Sequence, residues 1–114
     1  FLHIVEDKIN KIIKNKIWDM RNDVSFGNYQ IKLNKLKEIG VYDNLSIKAP
    51  ITLKKVCGNE KIMLNYTHHQ ELKKIFQNRS IPLWERDSFI LFYSHNELLL
   101  VYSDKETFIS SELR

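Results

Sequence analysis

Apolar residues recur at three- and four-residue spacing from Leu2 through Val5, Ile9, Ile12, Ile13 and Ile17 to Trp18 and Met20, with Lys8, Lys11, Lys14 and Lys16 between them. That period predicts an amphipathic helix, so residues 1–23 are expected to link the domain to something before it, with Trp18 as a packing residue on the apolar side. Arg21-Asn22-Asp23 breaks the pattern, and the period then shortens to two. Tyr29, Ile31 and Leu33, expected inward, alternate with Gln30 and Lys32, expected outward, which predicts a strand over Val24 to Leu33. Short strands are expected again over Leu45 to Lys48 and Ile51 to Val56, with Pro50 separating them or marking an edge and turns at Gly40 to Asn44 and Gly58 to Glu60.

The helical period returns in the second half. Thr67 followed three residues later by Gln70 is a capping-box pair, and it predicts a helix from about His68 to Asn78. Leu72, Ile75 and Phe76 would face the core, leaving Lys73, Lys74 and Gln77 outward. Ile81-Pro82 ends this helix, because the residue before a proline is pushed out of helical geometry. Phe89 to Tyr93 and Glu97 to Tyr102 are apolar runs joined by Ser-His-Asn, the pattern of a hairpin buried on at least one face, and Thr107 to Ile109 is a candidate third strand. The fold class expected is α+β: a small, mainly antiparallel sheet with one well-defined helix over residues 24–114, preceded by the linking amphipathic helix.

With 114 residues and 43% apolar content the chain suffices for one compact domain plus an attached helix. An apolar helical pattern already under way at Leu2 reads as a fragment of a longer chain. No run approaches the ~20 apolar residues of a membrane span and no signal-peptide layout is present, so a cytoplasmic location without a membrane partner is expected. Cys57 is the single cysteine, which excludes an internal disulfide. The net charge of +4 is unevenly spread: Lys48 to Arg79 holds seven Lys/Arg against two acids, whereas Ser80 to Arg114 holds three against six. The middle third is where an anionic partner would bind, unless its lysines are simply a solvated face.

Candidate chemistry narrows the classes further. The three glycines at 27, 40 and 58 are far apart and match no phosphate-binding fingerprint, so no nucleotide cofactor is expected in this segment. A metal site would need His68, His69, His95 and Cys57 to converge, and adjacent histidines on a helix diverge by about 100°, so no metal is expected either. Cys57 reads as a buried or incidental thiol. His68, His69, Lys73 and Lys74 near a helix start suit phosphate contact or, equally, a plain solvated face. Pro82 and Trp84 are expected to fix the turn by packing, while Arg86, between Glu85 and Asp87, is open to a salt bridge or to a phosphate.

The run His68-His69-Gln70-Glu71-Leu72-Lys73-Lys74-Ile75-Phe76-Gln77, followed by Ile81-Pro82-Leu83-Trp84-Glu85-Arg86-Asp87, resembles the C-terminal domain of bacterial tRNA(Ile)-lysidine synthetase. That family carries a His/Lys-rich start, a Leu-Lys-Lys-Leu/Ile-Phe-Gln helix, a Pro-Pro-Trp-x-Arg-like turn and a closing apolar hairpin, here Leu91-Phe92-Tyr93 and Glu97-Leu98-Leu99. Gly58-Asn59-Glu60-Lys61 is similar to its Gly-Gly-Glu-Arg turn. The resemblance covers about residues 51 to 102. It departs at Ile90, where the family has a proline, and at Val56, where an arginine is common unless Lys54 or Lys55 replaces it.

The resemblance implies a parent enzyme that uses ATP and Mg to adenylate the wobble cytidine of tRNA(Ile) and then joins lysine to it. The Ser-Gly-Gly-x-Asp-Ser loop of the family's catalytic domain is absent from this sequence, so the fragment is expected to be inactive alone and to hold no cofactor. Its implied task is to grip the acceptor stem and body of tRNA(Ile), with Lys61, His68, His69, Lys73, Lys74, Arg79 and Arg86 as the RNA-binding set. Gly58, Glu60, Leu72, Phe76, Pro82 and Trp84 would shape the motif. Backbone contacts of that kind position a nucleic acid without reading its sequence. The alternative is a structural module that packs on the preceding domains of the same enzyme or forms a homodimer through its exposed apolar surface.

Overall fold

The computed structural model describes residues 15–27, 29–64 and 68–113. Its centre is a five-stranded antiparallel sheet in the order β1 (Lys16–Trp18), β4 (Ile51–Lys55), β7 (Ile90–Ser94), β8 (Glu97–Tyr102) and β9 (Thr107–Ile109). A layer built from the hairpin β2 (Val24–Phe26) and β3 (Tyr29–Ile31) with helices α1 (Leu33–Glu38) and α2 (Tyr42–Ile47) covers one face. The small ladder of β5 (Lys61–Ile62) and β6 (Gln70–Glu71), helix α3 (Leu72–Asn78) and the turn after it cover part of the other. A one-turn helix α4 (Leu83–Arg86) leads into β7, and a 3-10 turn at Ser111–Leu113 follows β9.

The α+β class and the antiparallel sheet match the expectation, as do the central hairpin and its third strand. Both β7 and β8 are buried on two faces, which is why they read as continuous apolar runs rather than alternating ones. Ile90, Phe92, Leu100 and Tyr102 point into the first core, and Leu91, Leu98, Val101 and Phe108 into the second. Phe92 faces Leu100 while Tyr93 faces Leu98, so Leu99 is an extra residue, a bulge that turns it into the first core beside Leu100. His95 and Asn96, with φ of 51° and 66°, form a two-residue turn in left-handed backbone conformation, whose twist matches the right-handed twist of the strands it joins.

Several expectations need correction. The helix foreseen over Leu2 to Met20 lies mostly outside the described residues, but its end is a strand: Lys16, Ile17 and Trp18 pair with Leu53, Thr52 and Ile51. Pairing with β4 decides the matter, since a β-branched residue and an aromatic fit a pleated surface as well as a helical stripe. Trp18 is a packing residue as expected, 4% exposed and edge-on to Phe92 with ring centroids 6.1 Å apart. The long strand foreseen over Val24 to Leu33 is a hairpin followed by α1, and Tyr29 is exposed rather than inward. Leu45 to Lys48 belongs to a helix, not a strand, because Leu45 and Leu36 drop from α2 and α1 into the same core. Among the described residues, three short helices therefore join the one foreseen.

Helix α3 starts at Leu72, not at His68. Gln70 and Glu71 are drawn into a strand opposite Ile62 and Lys61, and the Leu72 N–H donates to the Glu60 carbonyl at 2.9 Å. Thr67 lies outside the described residues, and the N-cap Glu71 makes no side-chain capping bond. The helix ends at Asn78 as foreseen, and the detail is a Schellman motif: Ile81 N–H donates to Phe76 carbonyl at 2.9 Å and Ser80 N–H to Gln77 carbonyl at 3.0 Å. Ser80 takes the left-handed conformation, φ 56°, that glycine usually occupies there. The α1 terminus repeats the pattern with Gly40 at φ 80°, Gly40 N–H to Lys37 carbonyl and Val41 N–H to Leu36 carbonyl, each at 3.1 Å.

Candidate nucleic-acid interface

The turn before β5 shapes one side of the candidate site. Glu60 is buried, and its carboxylate accepts the Gly58 N–H at 2.9 Å and the Cys57 N–H at 2.5 Å. An anion folded back on two amides in this way closes the turn, and Gly58 supplies the required φ of 113°. Lys61 follows on β5 with its side chain exposed, directly opposite Glu71 on β6. Leu72, Ile75 and Phe76 anchor α3 in the second core, which leaves Lys73 and Lys74 outward as foreseen.

Folding redistributes the charge that looked segregated along the chain. The acidic last third returns to the basic middle third: Glu97 on β8 meets His69 at 3.0 Å, and Glu106 meets Arg79 at 3.1 Å. Lys74 pairs within its own helix start with Glu71 at 3.3 Å. Pairs this exposed each contribute little stability, about 0–1 kcal/mol, so a phosphate can replace the carboxylate at small cost. Lys61 and Lys73 have no ion pair among the described residues, so neither has to give up a carboxylate to meet a phosphate.

Two shallow grooves gather the foreseen residues. One, about 300 Å³, is lined by His68, His69, Gln70, Glu71, Lys74 and Asn78. The other, about 180 Å³, brings Lys73 and Arg86 together over Gly58, Glu60 and Phe76. Arg86 makes no salt bridge among the described residues. Its Nε donates to the Ile81 carbonyl at 3.2 Å and its guanidinium lies 5.5 Å from the Phe76 ring centre, so it pins the turn after α3 while facing the groove. Arg79 is likewise held over the Phe108 ring, 5.5 Å away.

Trp84 is the largest departure within the motif. Expected to pack, it is 80% exposed, and Leu83 beside it is 73% exposed. Pro82 stands at the N-cap of α4, and one turn of helix cannot bury its first two residues when the return to β7 already uses Ile81 and Phe89 for the core. Lys54 and Tyr93 were also missed. The Lys54 ammonium sits 4.5 Å from the ring centre of Tyr93, which packs half-buried against the second core. Burial, then the nearby Glu60, Cys57 and Glu97, pushes the Tyr93 phenol up to about 12, so it remains a hydrogen-bond donor throughout the neutral range. Alternation along Ile51 to Val56 was the available signal, since it puts Lys54 opposite Ile51 and Leu53.

Residues 51–104 match the family described as the TilS substrate C-terminal domain. This segment belongs to that family. No curated protein and no solved structure matches the chain. The TilS segment runs from β4 through β8, so it contains the Glu60 turn, all of α3, the α4 turn and the central hairpin, and it excludes the layer of β2, β3, α1 and α2. It is thus a substrate domain of the lysidine synthetase type, and no helix among the described residues is long and apolar enough to cross a membrane.

Proposed function

We propose that this chain is the tRNA-binding C-terminal part of a tRNA(Ile)-lysidine synthetase, gripping the acceptor stem and body of tRNA(Ile) while a catalytic domain elsewhere uses ATP and Mg to join lysine to the wobble cytidine. The observation that carries the reading is the coincidence of the substrate-domain segment with the cation-bearing α3 and β5 surface. Lys61 and Lys73 make first contact with phosphates, and Lys74, His69 and Arg79 exchange Glu71, Glu97 and Glu106 for the RNA backbone. Such contacts hold a helix by its shape and charge, which suits a domain that must position a tRNA whose reacting base is far away.

The test is fluorescence anisotropy with an acceptor-stem minihelix of tRNA(Ile) at several salt concentrations, against a DNA hairpin of equal charge. Salt-dependent binding that prefers the RNA is expected. Lys73→Ala with Lys74→Ala is expected to weaken binding and to flatten the log–log salt dependence by about one unit per lost contact. An unchanged slope removes α3 from the interface, and no binding at low salt overturns the reading.

A second reading has one observation in its favour. Ile17 is 74% exposed and opposite Thr52, which is opposite Tyr93, so a cross-strand row runs from the half-buried Tyr93 to an exposed end at Ile17. Were the chain a packing module, that row would be its contact, and sedimentation would show a concentration-dependent dimer lost in Ile17→Lys.

A further inference from the structure

An exposed tryptophan on a rigid one-turn helix needs a reason, and its surroundings supply one. Trp84 lines a groove of about 370 Å³ between α4, the β2–β3 hairpin and the turn after β8. Tyr29 lines the same groove, with the Lys55 ammonium over its ring, 5.2 Å from the ring centre, and that ammonium in turn donates to the Asp87 carbonyl. The two aromatic groups come from residues outside and inside the TilS segment, so the groove exists through tertiary contact alone.

The polar rim argues against a phosphate. Among the described residues its charged members are Glu85, Asp104 and Lys105, and Lys105 is already spent on Glu85 at 3.2 Å, so their sum is negative. Gln30 and Asp104 stand exposed beside the rings, offering an amide and a carboxylate at the edge of a flat aromatic space. A flat, uncharged ring with hydrogen-bonding edges fits that combination, whereas an apolar peptide would leave the polar edge unmatched. Single-stranded RNA is held in this manner, by bases stacked on aromatic side chains and hydrogen-bonded at their edges.

We propose that the Trp84–Tyr29 groove binds an unpaired nucleobase of the RNA whose backbone lies on the α3 surface. This rests on the RNA-binding reading and adds to it a contact that is uncharged and specific for single-stranded nucleotides. Base stacking on Trp84 fixes where the duplex ends relative to the protein, which phosphate contacts alone leave free to slide.

The experiment compares two RNAs with the 114-residue chain by anisotropy: a blunt duplex and the same duplex carrying a short single-stranded extension. The extended RNA is expected to bind about tenfold more tightly, Trp84→Ala to erase that difference, and Trp84→Phe to keep most of it. The salt slope should be the same in all three proteins, because no cation is removed. If both RNAs bind equally to the unaltered protein, or if Trp84→Ala weakens both alike, the nucleobase site is refuted while RNA binding stands. If neither RNA binds at low salt, both readings fall.

Discussion

The two layers on the central sheet use the same device to end a helix and differ in what they cover. The layer of β2, β3, α1 and α2 sends Val24, Phe26, Ile31, Leu36 and Leu45 onto the sheet and lies outside the TilS segment. The α3 layer lies inside that segment and covers β7, β8 and β9 but not the Lys54 side of β4. One layer is a support; the other is smaller, carries the cations on short elements, and leaves part of the sheet open. The lesson is that the candidate binding surface rests on the second core, whose buried residues lie within the TilS segment apart from Phe108, while Ile51, Leu53, Ile90 and Phe92 tie that segment to the supporting layer.

That comparison breaks most visibly at its two cores. Phe76→Ala would remove the ring that packs on Phe89 at 5.0 Å and on Phe108 at 6.1 Å and that underlies Arg86, and it is expected to cost about 3–5 kcal/mol in denaturant unfolding together with RNA binding. Leu36→Ala in the supporting layer should cost about 2–5 kcal/mol, yet leave the affinity of the folded protein and its salt slope unchanged. Equal loss of affinity in both variants would mean that the layers do not divide the work.

The helix ends sharpen the same contrast on a smaller scale. Nothing lies within 4 Å of a Cβ placed on Gly40, so Gly40→Ala isolates the left-handed backbone at the α1 terminus, and about 1 kcal/mol of stability should be lost. Ser80 holds the corresponding place after α3, and Ser80→Gly should gain about 0.5–1 kcal/mol. A matched pair of opposite shifts in thermal midpoint is the expected readout.

The smallest effect concerns Tyr93. Its phenol is raised to about 12 in the folded chain against 10.0 for the free group, so the native state keeps a proton that the unfolded state releases. That contribution is complete below pH 10 and is lost as the pH climbs through 12. Tyr93→Phe should therefore show a shallower loss of stability over that alkaline range, measured by urea unfolding; parallel curves would deny the burial that raises the phenol.

Legibility followed from how far each segment depends on its neighbours. The hairpin β7–β8 was readable because two-faced burial demands a continuous apolar run and because Ser-His-Asn offers a tight turn. The core face of α3 was readable from its period, but its first turn was not, since Gln70 and Glu71 find strand partners in Ile62 and Lys61 that no local pattern announces. Lys16 to Trp18 misled for the same reason: three residues satisfy a helical stripe and a strand equally well, and β4 chose between them.

The sequence by itself determined the α+β class, the apolar faces of its central strands and helix, and the Gly58 to Asp87 motif of the substrate domain, because periodicity and turn chemistry are properties of neighbouring residues. Tertiary structure alone decided which charges are neutralised, where Arg86 is held, and that Trp84 stands in solvent across a groove from Tyr29. Those outcomes depend on distances between residues remote in the chain, such as His69 and Glu97 or Arg79 and Glu106, and only a folded backbone sets them.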